Sequence, residues 1–128
     1  MSLDGVRVLL VEDEAIIAMT AEDMLEELGC TIAAMAANLD EAMACAEHGG
    51  FDLALLDINL NGQQSLPVAA LLRAAGTPFV FTTGYGAAGS TAEFADAPLV
   101  TKPYQIGDLE AAMRVIWDGY AQARRGRT

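Results

Sequence analysis

The 128-residue chain is 53% hydrophobic and 20% charged, a balance that favours one globular domain over a disordered segment. Its apolar runs are shorter than the roughly 20 residues that a membrane span needs, and Asp4 and Arg7 interrupt the start before a signal-peptide core can form. A net charge of −11 argues against nucleic-acid binding, because phosphate would repel the chain. Cys30 and Cys45 have neither a CxxC spacing nor a His-rich neighbourhood, so we expect two reduced thiols in a cytosolic protein.

The first half of the chain alternates strand and helix patterns. Residues 6–11 are apolar and β-branched, which predicts a strand. A helix follows and ends at Gly29, and a weaker, Ala-rich strand covers residues 30–35. The apolar positions at helical spacing are Ile17, Ala21, Met24, Leu25 and Leu28. Asn38 and Glu41 then have capping-box spacing, which predicts the start of a second, short helix.

The second half continues the alternation. Residues 53–56 predict a strand buried on both faces, and Asp57 ends it before an Asn- and Gly-rich loop. Pro67 indicates a helix start, and that helix should run to about residue 75. Residues 78–83 and 99–101 predict two further strands, separated by a poorly patterned stretch with room for one short helix near 91–95. The last helix carries its apolar face on Leu109, Ala112, Met113, Ile116 and Tyr120.

Polar side chains stand where the predicted strands end. Glu12 and Asp13 follow the first strand, Asp57 ends the third, Thr83 ends the fourth, and Lys102 follows the fifth. Five strand–helix alternations predict a doubly wound parallel sheet in the α/β class. In such a sheet the carboxyl ends of the strands meet at one edge, so we expect these five side chains to converge in one crevice.

The converging residue types point to phosphoryl transfer. Three neighbouring carboxylates repel each other, which raises their pKa values or recruits a cation, and hard oxygen ligands suit Mg²⁺. Lys102, the only lysine in the chain, would complement the acidic cluster, and the Thr83 hydroxyl can donate to an anion. A carboxylate nucleophile with a metal and two facing donors is suited to phosphoryl transfer.

Each residue also has a purely structural interpretation. An acidic pair before a helix often serves capping and the helix dipole, and Asp is common in turns. Thr83 suits a β-strand, and Lys102-Pro103 is an ordinary loop dipeptide. Residue types suited to phosphoryl transfer stand at all four strand ends, and this coincidence favours the functional interpretation of the whole set.

The order of these motifs resembles a response-regulator receiver domain of two-component signalling. The resemblance lies in Glu12-Asp13 after Val-Leu-Leu-Val, Asp57 after Ala-Leu-Leu, Thr83-Gly84, and Lys102-Pro103. It implies a flavodoxin-like (βα)5 fold with strand order 2-1-3-4-5 and a short or irregular fourth helix. It also implies that residues 1–128 form a single receiver domain, with a core at about 5–122 and a basic tail at 123–128.

The resemblance assigns a role to each site residue. Asp57 is implied as the phosphoacceptor, and Thr83 and Lys102 as the groups that bind the phosphoryl oxygens. The implied Mg²⁺ ligands are Glu12 (through water), Asp13, Asp57 and the main-chain carbonyl of Asn59.

A narrower resemblance concerns the fourth strand. Residues 78–85, Pro-Phe-Val-Phe-Thr-Thr-Gly-Tyr, are similar to the Pro-Phe-x-Phe-Ala-Thr-Gly motif of the FAT GUY single-domain regulators. Thr82 replaces the motif's Ala; strand alternation lets only one hydroxyl face the crevice, and register favours Thr83. Leu99 stands where many receivers have a switching Tyr or Phe. The switch candidates are therefore Thr83, Tyr85 and Leu99, with residues 84–96 as the responding segment.

The implied function is acceptance of a phosphoryl group from a sensor histidine kinase or phosphotransfer protein. The chain would act in the cytoplasm as a stand-alone adaptor, phosphate sink or shuttle, with no membrane or nucleic-acid partner and no catalysis beyond its own phosphorylation and dephosphorylation. The resemblance also allows a dimer that depends on phosphorylation. The kinase, the downstream target, the phosphoryl lifetime and the completeness of the chain stay open.

Two other functions fit the same fold. An aspartyl-nucleophile phosphatase or phosphotransferase usually has a second Asp two residues after the nucleophile, and Asn59 occupies that position. A flavodoxin-like module would bind FMN, but the acidic cluster would repel the flavin phosphate.

Overall fold

A computed structural model of the chain describes residues 3–84, 94 and 96–125, with the backbone alone for 120–125. The strands are β1 Arg7–Val11, β2 Thr31–Ala36, β3 Leu53–Asp57, β4 Asn59–Leu60, β5 Gln63–Gln64, β6 Phe79–Thr83 and β7 Leu99–Thr101. The helices are α1 Ala15–Glu27, α2 Leu39–His48, α3 Leu66–Ala74 and α4 Ile106–Arg125. No helix within these residues is long and apolar enough to cross a membrane.

Five of the strands form one parallel sheet in the order β2-β1-β3-β6-β7. This is the predicted order 2-1-3-4-5, because β4 and β5 form a separate two-stranded hairpin between the third and fourth strands of the sheet. The predicted fold class is thereby confirmed. The carboxyl ends of β1, β3, β6 and β7 lie side by side at one edge.

Helices cover both faces of the sheet, and each face has its own buried cluster. Residues of β1 and β3 alternate between the two clusters, as the pleat of a strand requires. The cluster beneath α1 and α4 includes Val8, Leu10, Leu25, Leu53, Leu55, Val80, Leu109 and Met113. The cluster beneath α2 and α3 includes Leu9, Val11, Ala42, Leu56, Val68, Leu72, Phe79 and Phe81. Burial on both faces explains why these strands read as continuous hydrophobic runs.

The predicted helix ends have a local cause in the structure. Asn38 Oδ1 accepts a hydrogen bond from Glu41 N–H at 2.8 Å, and Glu41 Oε1 accepts one from Ala37 N–H at 2.8 Å. The capping box of α2 is therefore present, with the glutamate reaching one residue further back than the standard pattern. After α1, Gly29 has φ +95°, a conformation that glycine adopts without strain.

The segment after β3 differs from the prediction. Its Asn- and Gly-rich sequence was expected to be a loop, but residues 59–64 form the β4–β5 hairpin. Asn61 and Gly62 sit at the turn with φ values of +53° and +86°. Positive φ at both positions matches the two-residue turn that Asn-Gly favours in hairpins.

The predicted short helix at 91–95 and the switch candidate Tyr85 lie outside the described residues, apart from Phe94. The Phe94 ring is buried against Phe79 and Phe81 in edge-to-face contacts. The Arg73 guanidinium lies 4.9 Å from the Phe94 ring centre and pairs with Asp96 at 3.0 Å. These contacts fasten the chain just before β7 to the end of α3.

Candidate functional site

The carboxyl edge of the sheet brings the predicted site residues together. Asp13, Asp57, Thr83 and Lys102 line a cavity of about 410 Å³, and Glu12 lies buried behind them. The cavity wall is completed by Glu14, Ile17, Asn59, Asn61, Gly62, Gly84 and Pro103. Each strand contributes its residue because it ends at this edge, which is the convergence that the sequence predicted.

Lys102 connects two of the carboxylates. Its Nζ donates to Asp57 Oδ2 at 3.0 Å and to Glu12 Oε1 at 3.1 Å. The lysine side chain is only 9% exposed. Burial lowers the pKa of Lys102, but the hydrogen bonds and charges of Asp57 and Glu12 outweigh that effect and raise it overall. The lysine therefore stays a cation and holds both acids.

Burial dominates the charge state of the two carboxylates. The Glu12 side chain is fully buried, and desolvation raises its pKa from 4.5 to about 7 against the opposing pull of the Glu14 N–H and Lys102. Burial likewise raises the pKa of Asp57, while Lys102 and the Asn59 N–H oppose the shift. One lysine does not offset this much buried negative charge, so the site favours a further cation.

The hairpin orients the exposed side of the site. Asn61 N–H donates to Asp13 Oδ2 at 3.0 Å, and Asn59 N–H donates to Asp57 Oδ1 at 3.3 Å. Partial burial raises the pKa of Asp13, but the Asn61 N–H and a hydrogen bond with Glu12 lower it overall. The Asn59 side chain accepts from Gly62 N–H at 2.9 Å within the turn. The ligand role of the Asn59 main-chain carbonyl stays a prediction.

The acidic cluster fits a divalent cation. Glu12, Asp13 and Asp57 each offer one carboxylate oxygen within 4.8 Å of the others. Three hard oxygen donors with an excess of negative charge are the environment that Mg²⁺ favours. These residues would hold the metal, and the charge that it supplies would offset their mutual repulsion.

The two adjacent threonines of β6 have different surroundings. Thr83 lines the cavity, whereas Thr82 is fully buried with its Oγ1 3.4 Å from the Tyr104 hydroxyl. Tyr104 lies just after Lys102-Pro103 and was not singled out from the sequence. Its only signal there was an aromatic residue with a polar tip two positions after a strand-end lysine. Leu99, the remaining switch candidate, lies on β7 and is 46% exposed.

The response regulator receiver-domain family matches residues 8–114. The chain belongs to this family. The match begins at the second residue of β1 and ends within the first half of α4, so it takes in β2, β3, the hairpin, β6 and β7 in full. It confirms the resemblance drawn from the sequence.

Solved and curated proteins agree with this assignment. The receiver domain is 39% identical to SdrG from Sphingomonas melonis Fr1, with a TM-score of 0.80 over 91% of this chain and 99% of that one. A BeF3-activated SdrG structure, also 39% identical, gives a TM-score of 0.73 over 88% and 94% of the two chains.

Among curated proteins, the transcriptional regulatory protein TcrA of Mycobacterium tuberculosis is 31% identical over 119 residues, which are 89% of this chain and 47% of TcrA. The receiver domain spans about half the length of the curated relatives that it matches.

Proposed function

We propose that this receiver domain accepts a phosphoryl group on Asp57 from the phosphohistidine of a sensor kinase or phosphotransfer protein. The proposal depends chiefly on one observation: the Asp57 carboxylate lines an open cavity while Lys102 Nζ lies 3.0 Å from it. A nucleophile, a fixed cation and room for a substrate therefore meet at one point.

The chemistry follows from the positions of the side chains. An Asp57 oxygen forms the new P–O bond while the donor's P–N bond breaks, and the electron pair leaves with the imidazole. Lys102 neutralises charge on the phosphoryl oxygens, and Thr83, on the same wall, donates its hydroxyl to one of them. When bound, Mg²⁺ supplies further charge neutralisation between the carboxylates and the phosphoryl group. Besides the Asp57 nucleophile, the protein contributes position and charge.

The proposed role in the cell is that of a cytoplasmic adaptor, phosphate sink or shuttle, whose altered contacts carry the signal. Catalysis is limited to its own phosphorylation and dephosphorylation, because Asn59 stands where an aspartyl phosphatase has its acid–base Asp. The BeF3-activated structure of SdrG supports the use of beryllofluoride as a phosphoryl mimic here. A dimer formed on phosphorylation is part of the same proposal.

The test is labelling with a radioactive acyl phosphate and with a phosphorylated kinase, with and without Mg²⁺. Wild type should take one phosphoryl group in the presence of Mg²⁺ and none in a chelator, and Asp57→Asn should take none. Asp52→Asn is the matched control, since that carboxylate is bonded to Arg7 at the opposite edge of the sheet. Label retained by Asp57→Asn on another residue contradicts the assignment.

A further inference from the structure

Two buried hydroxyls adjoin the candidate site without lining its cavity. The Tyr104 hydroxyl lies 3.4 Å from Glu12 Oε1 and 3.4 Å from Thr82 Oγ1. Thr82 is 0% exposed, Glu12 3% and Tyr104 7%. A continuous row of polar groups thus runs beneath the site, from Thr82 through Tyr104 and Glu12 to Lys102.

The Tyr104 hydroxyl lies equally far from its two neighbours, and both hydrogen bonds are long. A formed O–H···O hydrogen bond is typically about 2.7–2.8 Å long. Tyrosine has a single hydroxyl proton, so it can donate to only one acceptor at a time. When that proton goes to Glu12, the Thr82 hydroxyl can donate to the Tyr104 oxygen in return.

Lys102 and Tyr104 share the same acceptor. Glu12 Oε1 receives Lys102 Nζ at 3.1 Å, and the Tyr104 hydroxyl stands 3.4 Å from that oxygen. Lys102 is also held by Asp57 Oδ2 at 3.0 Å. A phosphoryl group on Asp57 adds negative charge beside this lysine and draws it away from Glu12. The buried Glu12 oxygen then needs another donor, since an unpaired buried carboxylate oxygen is strongly disfavoured.

We propose that Tyr104, supported by Thr82, is a positioning residue that donates its hydroxyl to Glu12 when Lys102 moves to the phosphoryl group on Asp57. This inference rests on the proposed function of Asp57. Thr82 replaces the alanine of the motif, and the inference assigns a role to its additional hydroxyl. We call the hydrogen bonds from Thr82 to Tyr104 and from Tyr104 to Glu12 the relay. The relay acts after Lys102 has moved, so it stabilises the phosphorylated protein more than the unmodified protein.

The experiment measures the rate of phosphorylation by a small acyl phosphate at saturating Mg²⁺. Tyr104→Phe should slow it about tenfold and Thr82→Val about threefold, the size expected for one hydrogen bond to a charged group and one to a neutral group. The double variant should be no slower than Tyr104→Phe, because Thr82 acts only through Tyr104. Thr82→Ser restores the hydroxyl and should restore most of the rate, while Thr31→Val, on the exposed edge strand β2, is the matched control.

Two readouts separate this relay from simple packing. The Mg²⁺ dissociation constant, measured by calorimetry, should stay within about twofold of wild type in Tyr104→Phe, because Lys102 still covers Glu12 before phosphorylation. Beryllofluoride should change the NMR shift of the Tyr104 ring carbon that bears the hydroxyl, and the change should be smaller in Thr82→Val. A wild-type rate in Tyr104→Phe, or additive losses in the double variant, overturns the inference. Wild type that takes no label contradicts the proposed function itself.

Discussion

Lys102 is the residue on which the charge balance of the site depends. It is the cation bonded to both buried carboxylates, Glu12 and Asp57. Removing one partner of a buried ion pair leaves charge without compensation, and the cost is typically about 3 kcal/mol or more. The loss of stability on removing Lys102 should be smaller at low pH, because the raised pKa values of Glu12 and Asp57 let both acids take up protons there.

We therefore expect Lys102→Met to lower the free energy of unfolding by about 3 kcal/mol at pH 8 and by clearly less at pH 6. Urea titrations in a chelator, followed by circular dichroism, measure both values. Arg114→Met is the control, because it breaks an exposed pair with Glu110 and should cost about 0.5 kcal/mol or less at either pH. Equal losses at the two pH values contradict the charge argument.

The raised pKa of Glu12 gives a second prediction at this scale. The folded protein holds a proton on Glu12 up to about pH 7, whereas the unfolded chain releases it near 4.5. More protons are bound to the folded state in that window, so its stability should fall as the pH rises from about 4.5 to 7. Glu12→Gln should flatten the slope in metal-free urea titrations. Below this window the lowered pKa values of Asp13 and Asp52 have the opposite effect, so that stability rises with pH.

At the scale of elements, the hairpin is the part that sequence patterns alone did not define. Two-residue strands are too short to show a period, so residues 59–64 read as loop although Asn61-Gly62 is a hairpin signal. The central strands β1, β3 and β6 were predictable because burial on both faces leaves a hydrophobic run. The convergence of Asp57 and Lys102 followed from parallel topology. Tyr104 could not be found this way, because its partners come from β6 and from the end of β1, and only three-dimensional packing brings them together.

The turn of the β4–β5 hairpin leads to a further prediction. Gly62 has φ +86°, so Gly62→Ala should lower the free energy of unfolding by about 1–2 kcal/mol. It should also weaken Mg²⁺ binding, because the neighbouring Asn61 N–H orients Asp13. Calorimetry and urea titration measure the two effects. Gly119→Ala, in α4 with open space around it, is the matched control and should stabilise the protein by about 0.5–1 kcal/mol. Unchanged Mg²⁺ affinity in Gly62→Ala would show that the hairpin does not orient the ligand.

At the scale of the whole molecule, charge is distributed unevenly. Seven acidic residues and no basic residue lie between Glu12 and Glu27, within a chain of net charge −11. On α1, Asp23, Glu26 and Glu27 are exposed and Glu22 is half-buried. Exposed charges of one sign influence the rate of encounter with a partner more than they influence stability. We infer that α1 forms part of the kinase-facing surface, as the family resemblance implies.

Reversing Glu22 and Glu26 to Lys should slow phosphotransfer from the kinase about tenfold at low salt and leave phosphorylation by an acyl phosphate unchanged. The difference should shrink as salt is added, since exposed charges are screened. Stopped-flow or quench-flow kinetics with both donors measure it. The same reversal of Asp40 and Glu47, exposed on α2, controls for net charge. Equal slowing with both donors would indicate damage to the site rather than to docking.

The single lysine has a practical consequence for chemical labelling. Lys102 supplies the only side-chain amine in the sequence, and that amine is 9% exposed and protonated between two carboxylates. An acylating reagent should therefore modify Lys102 slowly. Any event that frees this lysine or covers it more fully changes the rate of Lys102 acylation. Intact-mass spectrometry measures that rate on protein that carries no other label. The state of the site can thus be followed without a fluorophore, an isotope or a substitution.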